Sequence, residues 1–160
     1  MQIPWLDGEE QEAWLALLEG WARFTQRLDD DLKADFGITL EDYEILANLS
    51  FADGRLRMSE LAEKVLVSRS HLTYRVDRLE KPGYVCRRPC PEDGRAIWAE
   101  LTDAGRDLLE RAAPGHVTAV RELLLDRFDR DEWLTLGRRF RAVADGLAEA
   151  GAGARATPSG

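Results

Sequence analysis

Sulfur, histidine and long apolar runs are scarce in this chain, and each scarcity removes a class of protein. Two cysteines in 160 residues cannot make the disulfide lattice of a small secreted scaffold. The two histidines, His71 and His116, do not combine with Cys86 and Cys90 at zinc-ligand spacing, so neither a metal nor another cofactor is expected. No apolar stretch approaches the roughly 20 residues that cross a bilayer. The start, Met1-Gln2-Ile3-Pro4-Trp5-Leu6-Asp7, lacks the basic and apolar segments of a secretion signal. A cytoplasmic protein without a membrane partner is therefore expected. A glycine-rich phosphate loop is missing, as is any Ser/His/Asp or Cys/His constellation, so catalysis is not expected. Positive charge is also short, with 22 Lys and Arg against 30 Asp and Glu and a net charge of -8.

The chain nevertheless has enough apolar material for a core, at 44% hydrophobic residues and a mean hydropathy of -0.38. Its basic charge is concentrated. Residues 55–95 hold ten Lys and Arg against six Asp and Glu, whereas the remainder holds twelve against twenty-four. A segment of net +4 inside an acidic chain is the footprint of an anionic partner, which the whole-chain charge conceals.

Hydrophobic spacing predicts mostly helices. Trp14, Leu17, Trp21, Phe24 and Leu28 recur at three and four residues from about Glu9 to Phe36, and Phe36-Gly37 reads as a C-cap. Thr39 is placed to cap a second helix through Tyr43, Leu46 and Leu49. Ser59 is expected to cap a short helix from Glu60 to Val65, and Ser68 a further one from Arg69 to about Lys81, stopped at Pro82-Gly83. Tyr84 to Arg88 and Ala96 to Leu101 flank a turn containing Pro91 and Gly94 and read as a hairpin. A long helix is expected from Thr102, bent at Pro114, and Asp129 and Glu132 have capping-box spacing for a last one through Trp133, Leu136, Phe140, Val143 and Leu147. The acidic run Asp29-Asp30-Asp31 reads as a solvated helix face.

The fold expected is mainly α with a small β-hairpin wing: a winged helix-turn-helix module over 37–102, flanked by a discontinuous helical dimerisation region, 1–36 and 103–149. Residues 150–160, rich in Gly, Ala, Pro and Ser, are expected to form a flexible tail. The outer stripes suit either a two-fold dimer or an intramolecular bundle.

In the helix after Ser68, Leu72, Val76 and Leu79 share one face, which turns Ser70, Thr73, Tyr74, Asp77 and Arg78 to the other side, with Arg69, His71 and Arg75 on the flanks. Short and long hydrogen-bonding side chains at a helix start suit base edges in a major groove. Arg57, Arg87 and Arg88 are read as phosphate contacts acting through charge.

The stretch MSELAEKVLVSRSHLTYRVDRLEKPGYVCRRPCPEDGRAIWAELTDAGR closely resembles the MarR family of bacterial winged helix-turn-helix regulators. The Ser-Glu-Leu-Ala helix, the Leu-Thr-x-x-Val-Asp-x-Leu-Glu helix, Gly-Tyr-Val, Asp93-Gly94-Arg95 and Leu101-Thr102-x-x-Gly105 carry the resemblance. It implies a homodimer on a pseudo-palindromic operator in double-stranded DNA, usually a repressor released by a small aromatic or lipophilic ligand or by an oxidant. By motif it implies a phosphate contact at Ser59, and major-groove or backbone contacts at Ser68, Arg69, Ser70, His71, Thr73, Tyr74 and Arg78. It further implies a minor-groove arginine at Arg95 and a wing brace at Asp93, acting through ion pairing. The chain departs from the family at Pro82, Pro89 and Pro91.

For sensing, Trp14, Trp21, Phe24 and Tyr43 are candidates to line a ligand pocket, against the plainer reading that they are core. Two other readings stay open: a redox regulator using Cys86 and Cys90, and a winged-helix module that binds protein. Cys86 and Cys90 would lie roughly 13 Å apart in extended chain, too far to bridge.

Overall fold

The structure, a computed structural model, describes residues 3–155 with the exception of residue 92. The first helix, α1 (Gly8–Phe36), opens on a reciprocal capping box between Asp7 and Glu10 and closes on Gly37, whose φ of 69° few side-chain-bearing residues tolerate. Thr39 caps α2 (Leu40–Phe51) as expected. Its hydroxyl accepts from the Asp42 N–H at 3.1 Å while Asp42 accepts from the Thr39 N–H at 3.0 Å. The acidic run before this turn is more than a solvated face. Asp29 Oδ1 accepts from the Leu40 N–H at 2.9 Å, so an α1 side chain satisfies an orphan donor of α2.

A strand absent from the sequence reading follows, β1 (Arg55–Arg57), and then α3 (Met58–Lys64). Ser59 does not cap this helix. Arg57 takes the N-cap position, its N–H donating to Glu60 Oε2 at 3.0 Å, and Ser59 lies in the first turn. The turn out of α3 passes through Leu66 at φ 56°, an exposed bulky residue in a left-handed conformation that costs roughly 1–2 kcal/mol. Ser68 then caps α4 (Arg69–Glu80), accepting from the His71 N–H at 3.2 Å. Gly83, at φ 81°, lets the Tyr84 N–H return to the Leu79 carbonyl and ends the helix.

The hairpin is β2 (Val85–Pro89) and β3 (Ile97–Leu101). Among the described residues the strands form one antiparallel sheet in the order β1-β3-β2, with Arg57 opposite Trp98 and Val85 opposite Leu101. Pro89 closes β2 opposite Ile97, and the Cys90 N–H resumes bonding at the Ala96 carbonyl, so the proline sits at the ladder's end. Leu46, Leu49, Leu61, Leu72, Val76, Val85, Ala99 and Leu108 are buried in one cluster that holds α2, α3, α4, the sheet and the start of the helix after Thr102 together. Burying such side chains contributes about 1.5–3 kcal/mol each.

Thr102 precedes α5 (Asp103–Leu123), which runs as one helix past Pro114. Two compact units divide between Thr118 and Ala119, within α5. In the second, a 3-10 turn (Leu125–Arg127) leads to α6 (Arg130–Arg155), capped reciprocally by Asp129 and Glu132 as expected. Helix α6 therefore continues beyond residue 150, where the tail was expected to begin. Residues 156–160 lie outside the described residues.

Candidate nucleic-acid interface

The start of α3, the start of α4 and the hairpin surround a cleft of about 470 Å³. Arg57, Ser59, Arg69, Thr73, Arg87, Asp93 and Arg95 all line it, although they come from four separate stretches of sequence. Ser68, Ser70, Tyr74 and Arg78 stand exposed on α4 outside this lining, and Arg88 stands exposed on β2.

The cations differ in how committed they are. Arg69 and Arg95 make no ion pair among the described residues. Arg57 is oriented by Trp98, whose ring lies 5.6 Å from its guanidinium and 5.0 Å from that of Arg55. That clamp was invisible in the sequence because it requires β1 to pair with β3. Arg87, read from the sequence as a phosphate contact, is engaged within the chain. Its guanidinium binds Glu80 through Nε at 2.9 Å and through Nη2 at 2.6 Å, Nη2 also meets Asp77, and its backbone N–H donates to Glu80 Oε1 at 2.7 Å. Hydrogen bonding to Glu80, opposed by burial, raises its pKa further. Arg87 fastens the hairpin to α4. Arg88, two-thirds exposed, pairs with Glu100 at 2.9 Å.

Asp93, expected to brace the wing by ion pairing, makes no ion pair among the described residues and is hydrogen-bonded within the turn instead. Its Oδ1 accepts from the Arg95 N–H at 3.1 Å and its carbonyl accepts from the Ala96 N–H at 2.9 Å, a local Asx-type turn.

On α4, Thr73 returns its hydroxyl to the Arg69 carbonyl at 2.9 Å, and Ser68 and Ser70 share a hydroxyl contact at 3.2 Å. Hydrogen bonding from Arg78, then its charge, lowers the Tyr74 pKa. His71 Nε2 is 3.2 Å from Glu41 on α2. Thr102 ties the wing's root, donating its hydroxyl to the Gly83 carbonyl at 2.6 Å and accepting from the Gly105 N–H at 3.1 Å.

A family model describing the MarR family matches residues 38–97, which run from the start of α2 through α3, α4 and β2 to the first residue of β3. The solved structure of Sco3205, a MarR family transcriptional regulator from Streptomyces coelicolor in complex with DNA, is 41% identical to this chain. It superposes with a TM-score of 0.88 over 91% of this chain and 92% of that one. The chain belongs to the MarR family. AbsC, another MarR family transcriptional regulator of S. coelicolor, is 36% identical with a TM-score of 0.87, covering 92% of this chain and 99% of its own. The HTH-type transcriptional repressor YetL of Bacillus subtilis is 34% identical over 97 residues, 60% of this chain and 58% of that protein. This MarR family member is thus a transcriptional regulator with the winged helix-turn-helix fold expected of its sequence.

The sensing candidates do not converge. Trp14 and Trp21 are 51% and 58% exposed on α1, and Phe24, half-buried, meets Trp21 at 5.6 Å between ring centroids. Tyr43 is buried instead, its ring 4.2 Å from that of His116, and burial raises its pKa. His116 is helical, with Nδ1 buried and without a hydrogen-bond partner among the described residues. Burial lowers its pKa. Cys90 is buried, and Cys86 Sγ faces Glu100 at 4.0 Å. Among the described residues no helix is long and apolar enough to cross a membrane, and no His, Cys, Asp and Glu group could hold a metal.

Proposed function

We propose that this regulator binds double-stranded DNA as a homodimer on a pseudo-palindromic operator and represses a nearby gene. The observation that carries this reading is the cleft that gathers Arg57, Ser59, Arg69, Thr73 and Arg95 around the start of α4. Arginines without an ion pair among the described residues, beside a capped helix start, suit phosphate contact, and the face of exposed Ser70, Thr73 and Tyr74 with the partly exposed His71 suits base edges. Arg95 at the hairpin tip suits a narrow minor groove, where negative potential is focused.

Dimerisation is supported by apolar surface that a lone chain leaves in water. Trp14, Leu17, Leu18 and Trp21 are exposed on α1 and, separately, Phe140, Val143 and Leu147 on α6. On this reading residues 1–36 and 103–149 serve the dimer and 37–102 the DNA. Repression is favoured by the likeness to YetL. A small aromatic or lipophilic ligand that releases the operator belongs to the same proposal, with Trp14, Trp21 and Phe24 as its aromatic surface, enclosed by the second copy.

Selection of bound duplexes from a random pool tests the core of this. Recovery of two inverted half-sites centred about one helical turn of DNA, 10–10.5 base pairs, or a multiple apart is expected. Arg95→Ala should weaken binding and lower the salt slope by roughly 0.9. A pool that enriches nothing, or a single isolated half-site, would overturn the proposal.

A further inference from the structure

The N-terminus of α2 grips α4 through one carboxylate. Glu41 Oε2 pairs with Arg75 Nη2 and also lies 3.2 Å from His71 Nε2. Arg75 and His71 are four residues apart, hence on one face of α4. The Arg75 side chain is only 15% exposed, with Nη1 3.3 Å from Thr39 Oγ1 and 3.6 Å from Asp42 Oδ1. Asp42 is buried and is itself held by the Thr39 N–H. Glu41 is thus backed by a fixed cation, while His71 remains partly exposed on the flank of the proposed recognition face.

The chemistry of the ring makes this contact informative. His71 Nε2 has two neighbours that demand opposite roles: Glu41 Oε2, which only accepts, and Arg75 Nε at 3.5 Å, which only donates. The shorter contact and the negative charge favour Nε2–H donating to Glu41. In the neutral ring Nδ1 then carries the lone pair, and no hydrogen bond to Nδ1 is made among the described residues. An accepting Nδ1 matches an exocyclic amine in the major groove, adenine N6 or cytosine N4, and mismatches a carbonyl oxygen.

We propose that Glu41, outside the recognition helix, is a specificity-setting positioning residue: it fixes the His71 tautomer so that His71 reads a base amine. Arg75 holds Glu41 in place for this task. The inference rests on the reading of α4 as the major-groove helix.

The test is duplex selection from a random pool with the full-length wild type, Glu41→Ala, Glu41→Gln, His71→Ala and the double variant Glu41→Ala/His71→Ala, each with its salt slope and melting curve. Wild type should show one position per half-site at which an amine-bearing base is preferred by roughly tenfold. Glu41→Ala should lose that preference, leaving the other positions and the salt slope unchanged, and the double variant should lose no more than His71→Ala. Glu41→Gln offers either an amide oxygen or an amide N–H to Nε2, so it should relax the same position with its fold retained. Unchanged selection by both Glu41 variants, or a uniform weakening at all positions, would overturn the inference while leaving the DNA reading intact. A wild type that enriches no duplex would overturn both.

Discussion

Replacing Gly105 by alanine puts one carbon atom where the fold has no room for it. A Cβ at this position would stand 2.1 Å from the Tyr84 carbonyl oxygen and 2.8 Å from Leu101 Cδ1. The leucine end can rotate away, but the carbonyl cannot move freely. It accepts from the Thr102 N–H at 3.1 Å, and the preceding Gly83 carbonyl is held by the Thr102 hydroxyl. Helix propensity works the other way, favouring alanine within α5 by about 1 kcal/mol. Against that gain stand overpacking, about 1–3 kcal/mol, and disruption of the Thr102 bonds, about 1 kcal/mol each. The net loss is therefore about 2–4 kcal/mol. In a chain of this size that corresponds to a melting temperature lower by about 5–15 °C. Thermal denaturation followed by circular dichroism measures it. A variant melting at or above the wild-type temperature would refute the packing argument and leave helix propensity as the governing effect. Because Tyr84 leads into β2, the displaced carbonyl also shifts the root of the hairpin, and duplex binding should weaken at temperatures where the variant is still folded.

Three further outcomes follow from individual contacts. Burial disfavours the His116 imidazolium in the folded chain, so the unfolded chain protonates first as pH falls. Stability should be full above the ordinary histidine range and decline as pH falls through it towards the lower folded value; His116→Phe, which keeps a ring on Tyr43, should flatten that acid-side decline in urea midpoints, and an unchanged decline would refute the assignment. Arg87→Met should cost about 1–2 kcal/mol, because Glu80 and Asp77 lose their common partner. Its salt slope for duplex binding should fall by clearly less than the roughly 0.9 of a lost phosphate contact, and a full-sized fall with unchanged stability would show the phosphate role instead. Trp21→Glu, at an exposed α1 position, should leave the monomer fold intact and shift the mass seen by sedimentation from dimer to monomer; a dimer of wild-type affinity would remove α1 from the interface.

Features legible in the sequence are those decided within a few residues. Thr39 with Asp42, Ser68 ahead of α4, Gly37 after α1 and Asp129 with Glu132 act where they stand, since a cap satisfies backbone groups of its own turn. Leu72, Val76 and Leu79 settle which face of α4 is buried, and the opposite polar face follows from helical geometry. Ser59 shows the limit of such local signals, because the Arg57 N–H bonding to Glu60 begins α3 two residues earlier.

Tertiary packing decided what depends on partners distant in the chain. β1 is too short to announce itself and exists because Arg55, Leu56 and Arg57 pair with β3. The same pairing brings Arg57 to Trp98, while the approach of β2 to α4 draws Arg87 away from solvent to Glu80 and Asp77. The sequence by itself determined a basic helix-turn-helix with an arginine hairpin, because caps, periodicity and turn residues are local. Only the fold decided which of its arginines are paired, that Glu41 holds His71, and that Gly105 must be bare, because each of those depends on where separate elements come to rest against one another.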